Sequence, residues 1–373
     1  MYRLRKGMSR KINKTEPKKF RILFLYDLPS PWVVRDFEML QRHFEVIPLQ
    51  NMPRYHARES RWKIIRILDF CFAVLFHVLK ILKNVLTTDL VYGFFANECT
   101  AIAIFFSKIF RKKSVVVTGC RVVLTEPPDV IKQMGISLPL RYILGARFSA
   151  KFADLLLAMS KYGEKGVLER VKPKRIIQVN LGCDVNKFKP NGPKENIVIT
   201  VGYVNRVNVI RKGFKTFVES AKYLPNVKFY LIGKHEDDSI NDLKAIATPN
   251  VVFTGYLPDD ELLLMYQRAK VFCLLSLQEG EAGGGVLGEA MACECIPVLS
   301  NRAPPLRETA GDLGFYVPYG DAKATAAAIK KALNADPKIG KMCRERVSKL
   351  HSMKKREEIV VREIKRLLKN EVI

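Results

Sequence analysis

Short apolar runs rich in β-branched and aromatic residues recur along the chain, each followed by a loop and, in most cases, a helical stretch; no other feature restricts the fold as much. Strands read this way span Arg21–Tyr26, Phe44–Pro48, Leu90–Phe94, Ser114–Thr118, Leu155–Met159 and Ile176–Val179. Pro190, Gly192 and Pro193 interrupt the pattern, which resumes with Ile197–Val201, Lys228–Ile232, Val251–Phe253, Val271–Leu275 and Ile296–Leu299. Strands alternating with helices predict parallel sheets. The expected class is therefore α/β, with two Rossmann-like doubly wound domains facing a central cleft. The boundaries are a basic tail at 1–18, a first domain at 19–188 and a second at 189–345. A C-terminal amphipathic helix at 346–373 either packs on a domain surface or crosses back to the first domain. Its apolar positions, Val347, Leu350, Ile359, Val360, Ile364 and Leu367, lie in a stretch read as one long helix from Lys341 to Leu368.

Charge is distributed unevenly over this frame. Up to Pro190 there are 35 Lys and Arg against 15 Asp and Glu, and beyond it 28 against 22. A basic first half calls for an anionic partner: a phosphorylated substrate, an acidic membrane surface or nucleic acid. Residues 62–86 are strongly apolar, but Asp69, His77, Lys80 and Lys83 interrupt them, so they fall short of the roughly 20 apolar residues of a membrane span. Two readings stay open for them: a buried domain helix, or an apolar face in a membrane interface flanked by Arg58, Arg61, Lys63 and Arg66. The apolar run Ile22–Leu25 is too short for a signal-peptide core. The eight cysteines lie mostly in apolar stretches without zinc-type spacing and read as reduced core thiols of a cytosolic protein.

The densest chemical signal is Glu279–Ala292, where a strand ending near Leu275 leads through a glycine-rich turn into a helix near Val286. Main-chain N–H groups of Gly283, Gly284, Gly285 and Val286 are placed to face an anion, and successive glycines let a ligand approach closely. Glu281 and Glu289 lie eight positions apart, one in the loop and one a turn into the helix. Glu289 stands in an otherwise apolar run and needs a partner. The acidic clusters Glu236–Asp238 and Asp259–Glu261 sit where carboxylates cap helices, so no metal site is expected there.

Glu281, seven residues, Glu289 and then Ala290-Met291-Ala292 resembles the signature of retaining GT-B glycosyltransferases of the family-four group, the glycosyl transferases group 1. Asn180–Pro190 is similar to that family's interdomain Gly-x-Asp-x-x-x-Phe-x-Pro segment, and Asn250–Tyr256 to its base-binding strand and turn. The resemblance runs from about Asp154 to Tyr319. It implies a GT-B fold with the acceptor on the N-terminal domain and the nucleotide sugar on the C-terminal one. By the same resemblance Lys212 and Arg206, with Arg211 as the alternative arginine, bind the donor diphosphate. Glu281 orients the transferred sugar, Glu289 holds the ribose, and Tyr256 and Lys234 also belong to the donor side. Two features depart from the pattern: Leu28–Trp32 replaces a glycine pair, and Gly119-Cys120 stands near where relatives carry a histidine. Gly119 and Cys120 are read as acceptor-side residues.

The activity implied is retaining transfer of a hexose from a nucleotide-diphosphate sugar such as a UDP- or GDP-hexose to a glycan or lipid-linked hydroxyl. No cofactor or metal is expected, because positive side chains and helix ends replace the divalent ion beside the leaving diphosphate. The expected location is cytoplasmic, at the inner face of an anionic membrane. The rival readings are a non-catalytic binding or scaffold protein of the same fold and, on charge alone, a nucleic-acid-binding protein.

Overall fold

The computed structural model of the chain describes residues 20–51, 63–119, 140–277 and 285–369. The first half contains β1 (Arg21–Tyr26), α1 (Pro31–Gln41), β2 (Glu45–Gln50), α2 (Lys63–Leu86), β3 (Leu90–Phe94) and α3 (Glu98–Ile109). It continues with β4 (Lys113–Thr118), α4 (Leu140–Phe152), β5 (Leu155–Ala158), α5 (Lys161–Leu168) and β6 (Ile176–Gln178). These strands pair in parallel in the order β2-β1-β3-β4-β5-β6. Successive side chains of β1 point to opposite faces, and both faces are covered. Leu23 and Leu25 pack with Ile81 and Val85 of α2, whereas Ile22, Phe24 and Tyr26 pack with Val33, Phe37 and Leu40 of α1. Two-sided burial is why the strand reads as an unbroken apolar run.

The second half contains β7 (Glu195–Val201), α6 (Arg206–Arg211), α7 (Phe214–Ser220), β8 (Lys228–Ile232), α8 (Ser239–Ala245), β9 (Val251–Gly255) and α9 (Asp259–Arg268). Then come β10 (Ala269–Leu274), α10 (Gly285–Ala292), β11 (Ile296–Ser300), α11 (Pro304–Ala310), β12 (Phe315–Val317) and α12 (Ala322–Leu333). This sheet is also parallel, ordered β12-β11-β10-β7-β8-β9. Strand order reverses between β1 and β3 in one sheet and between β7 and β10 in the other. At such reversals ligands bind beyond the carboxyl ends of the strands.

The C-terminal stretch differs from the single helix expected. It forms α13 (Pro337–Leu350) and α14 (Met353–Leu368), with a break at His351–Ser352 where Ser352 caps α14 by accepting a bond from the Lys355 amide. The break occurs because each half packs on a different domain: Cys343 and Val347 join the core of the second, Val360 and Ile364 that of the first. At the crossing, the Cys183 amide bonds the His351 carbonyl at 2.7 Å and the Met353 amide bonds the Cys183 carbonyl at 2.9 Å. Arg356 of α14 then grips Asp36 of α1 through Nε and Nη2, both at 2.6 Å, with each side chain 2% exposed. Tyr92 donates to the same carboxylate at 2.8 Å, and Arg356 Nη1 donates to the carbonyls of Val179 and Asn180.

Candidate active site

A cavity of about 490 Å³ lies between the carboxyl edges of the two sheets. From the second domain it is lined by residues following β7 (Gly202, Tyr203, Asn208, Arg211, Lys212), β8 (Gly233, Lys234), β9 (Tyr256) and β10 (Gly285, Val286, Glu289). The first domain contributes Ser30, Pro31, Trp32 and Arg35 after β1, Phe95 after β3 and Met159 after β5. A volume of this size, with cations and a carboxylate converging on it, suits a small polyanionic ligand.

Local sequence explains how Lys212 reaches this wall. It ends α6, its amide bonding the Asn208 carbonyl at 2.8 Å, and Gly213 turns the chain at φ +64° into α7. A side chain at Gly213 would strike the Leu275 carbonyl, so glycine is needed at that turn. The Lys212 stem crosses Gly202, where an added Cβ would lie 2.7 Å from it, and the residue is only 9% exposed. Arg211 is aimed by Asn208, whose Oδ1 accepts from Nη2 at 2.8 Å and from Nε at 3.0 Å. Asn208 in turn donates to the Tyr203 carbonyl at 2.8 Å. Arg206 does not line the cavity. It opens α6 on an exposed turn with its amide bonded to Asp237, so of the two candidate arginines the structure brings in Arg211.

Glu289 is buried on the first full turn of α10. Its Oε1 accepts from Arg35 Nη2 at 2.7 Å, and its Oε2 from the Tyr266 hydroxyl at 3.3 Å. Burial pushes this carboxyl above its ordinary range, while the Arg35 charge opposes that shift. Trp32, one turn before Arg35 on α1, lies so close to Gly285 that a Cβ there would overlap the indole. Glu281, Gly283, Gly284 and Cys120 lie outside the described residues. Gly119 does not line the cavity but supports Phe95, which does; a Cβ at Gly119 would come within 2.7 Å of the ring.

Of the two acidic clusters, the first holds main-chain amides: Asp237 accepts from those of Arg206 and Ser239, each at 3.0 Å. The second stands in the first turn of α9 without a side-chain capping bond, and Asp259 pairs with Lys187 at 3.0 Å. Among the described residues no group of three or more His, Cys, Asp or Glu could hold a metal. Sequence reasoning missed Arg35, Asn208 and Lys187 as lining residues. The first belongs to the other domain, and nothing in the periodicity of α1 marks Arg35 as facing a helix 254 positions away.

Residues 184–350, which carry the second domain's wall of the cavity, match the family model of the glycosyl transferases group 1. The match lies almost wholly within the second half of the chain. Curated relatives are similar as well. O-antigen chain mannosyltransferase B of Escherichia coli is 26% identical over 231 residues, 57% of this chain and 58% of that one. A capsular polysaccharide biosynthesis glycosyltransferase of Staphylococcus aureus is 34% identical over 164 residues, 40% and 41% of the two chains. These matches span about half the length of the relatives. Among solved structures, a glycosyltransferase of Rickettsia africae superposes with TM-score 0.69 at 16% identity, covering 95% of this chain and 100% of that one. A pneumococcal O-GlcNAc transferase superposes with TM-score 0.58 at 15% identity, covering 75% and 57%. The chain has the two-domain GT-B fold.

Proposed function

We propose that the chain transfers a hexosyl group from a nucleotide-diphosphate sugar to a hydroxyl acceptor with retention of configuration. The observation that carries this reading is the convergence of Lys212, Arg211, Lys234 and Glu289 on one cavity at the facing carboxyl edges of the two sheets. In the reaction the bond from the anomeric carbon to the diphosphate oxygen breaks, and a bond to the acceptor oxygen forms on the same face. The acceptor's proton passes to the departing phosphate oxygen. Negative charge grows on the leaving diphosphate, so Lys212 and Arg211 act most strongly in the transition state, in place of a divalent ion. The ribose hydroxyls donate to Glu289, and Glu281 orients the sugar.

The names of two relatives, mannosyltransferases of Escherichia coli and Mycobacterium leprae, put GDP-mannose first in a donor panel with UDP-glucose, UDP-N-acetylglucosamine and ADP-glucose. A true donor at 100 times its dissociation constant will add about 2.7 kcal/mol of stability, read as a raised unfolding temperature. It will also be consumed when a glycan or lipid-linked acceptor is supplied. Stabilisation without turnover across a broad acceptor panel assigns the fold a binding role instead, and no stabilisation by any member removes the donor site.

The acceptor is proposed to be presented at an anionic bilayer. On α2 the exposed stripe is apolar: Phe72 and Phe76 are 69% and 70% exposed, and Leu75 and Leu79 accompany them. Ile81 and Val85 form the buried side. Water does not favour an apolar outer stripe, whereas a lipid interface does. Lys80 and Lys83 stand exposed beside it, and the basic first half suits anionic headgroups. Arg58 and Arg61 lie outside the described residues, and no described helix is long and apolar enough to cross a membrane. The protein will co-sediment with phosphatidylglycerol-containing vesicles at low salt but not with pure phosphatidylcholine. The double variant Phe72→Asp, Phe76→Asp will remain in the supernatant. A wild-type protein that ignores anionic vesicles, or one whose stripe instead drives self-association by light scattering, refutes the bilayer as partner.

A further inference from the structure

The two domains meet through a matched pair of helix positions. On α1, Trp32 and Arg35 are three residues apart and share a face; on α10, Gly285 and Glu289 are four apart and share a face. Trp32 seats against Gly285, and Arg35 reaches Glu289 at 2.7 Å. The guanidinium is held between two rings, its centre 4.9 Å from the Trp32 centroid and 5.5 Å from that of Phe188. Stacking of this kind fixes the plane of an arginine. Arg35 also lines the cavity, and among the described residues its Nη1 is buried without a hydrogen-bond partner. A nucleotide oxygen entering the cavity would supply the missing acceptor.

We propose that Arg35 is a positioning residue of the donor site: supplied by the N-terminal domain, it holds the Glu289 carboxylate in place as acceptor for the ribose hydroxyls and so couples nucleotide binding to the closed arrangement of the domains. This inference rests on the ribose role assigned to Glu289 above. A carboxylate accepts from hydroxyls only while ionised, and one as deeply buried as Glu289 keeps its charge only beside a cation. Of the groups facing it, Arg35 from α1 and Lys187 from the interdomain segment favour the charged form, as does the hydrogen bond from Tyr266 of α9. Cys183 of the interdomain segment and Cys293 after α10 are buried thiols pushed well above their ordinary range, and they supply no positive charge. Arg35 is the cation in direct contact.

Removing that cation gives a signature that a packing role would not. In Arg35→Met, the Glu289 carboxyl titrates higher than in the wild type, by about 1–3 pH units for loss of an adjacent opposite charge. Binding of UDP or GDP, followed by titration calorimetry between pH 5.5 and 9, will then lose affinity on the acid side at a pH higher by that amount. The loss approaches tenfold per pH unit. The phosphate's own titration is common to both proteins and cancels in the comparison. Arg35→Lys will move the profile back toward the wild type, and Arg35→Gln provides a second neutral variant should the methionine protein fold poorly.

A nucleotide-free measurement separates the two layers of the inference. The folded Arg35→Met protein keeps the Glu289 proton to higher pH than the folded wild type does. Its stability relative to the wild type must therefore fall as pH rises between those two folded-state values. Adding Glu289→Gln must abolish that slope. If the slope appears but Glu289→Gln alone leaves nucleotide affinity unchanged at every pH, the ribose assignment fails while the Arg35–Glu289 coupling stands. If Arg35→Met and Arg35→Gln show the wild-type acid limb and no relative slope, the role of Arg35 is refuted.

Discussion

Replacing Lys212 by methionine will lower turnover by about 10²-fold or more, the scale of losing one preorganised charge-stabilising donor, and will leave the fold intact. Methionine keeps an unbranched stem to lie across Gly202 and removes only the ammonium group. The stem is buried at the end of α6, and the turn at Gly213 fixes its direction, so the charge is aimed before any donor arrives. Preorganised charge of this kind acts chiefly where new charge develops, on the diphosphate as its bond to the sugar breaks. The rate at saturating nucleotide sugar will therefore fall further than the affinity for the nucleotide diphosphate. Initial rates over a donor titration, with an unchanged unfolding midpoint, check both parts. Turnover within a few-fold of the wild type would remove Lys212 from the diphosphate site.

The largest effect on stability is expected at Asp36. Asp36→Ala strands the Arg356 guanidinium in a site 2% exposed, with no carboxylate among its neighbours there, the carbonyls of Val179 and Asn180 and the Tyr92 hydroxyl remaining beside it. Breaking one side of a buried ion pair typically costs about 3–5 kcal/mol, because the surviving charge is left uncompensated. Tyr92 loses its acceptor as well. Urea titration of Asp36→Ala will show the corresponding drop. The double variant Asp36→Ala, Arg356→Met will lose much less than the sum of the two single changes, since it leaves no stranded charge. Additive losses would mean that the pair carries no coupling.

Much of this architecture is legible in the residues themselves. Strands such as Ile22–Leu25, Leu155–Leu157 and Val271–Leu274 are buried on both faces, which makes them short continuous apolar runs. Phe315–Val317 escapes that test because it is a three-residue edge strand between Gly314 and Pro318, too short for a pattern. The helix break at His351–Ser352 is hidden by charges that continue at near-helical spacing on both sides, and its one local sign is a capping serine. At the site, chemical type was readable while direction was not. Arg206 and Arg211 lie five positions apart on one short helix, and only the packed loop decides which enters the cavity. Arg35 depends on a contact between domains, which no local pattern records.

The return of α14 to the N-terminal domain has a bearing on how the chain is made. Val360, Val361 and Ile364 complete a core whose other members lie between Ile22 and Val179. During synthesis the first domain therefore emerges with part of its apolar surface bare and the Asp36 carboxylate unmatched, and it stays so until α14 leaves the ribosome. The second domain has nearly all of its own core residues in hand by then. The second domain is thus poised to mature before the first, although it is made after it. A stop codon placed after Leu350 would not merely trim a tail; it would leave the first domain without the segment that closes it.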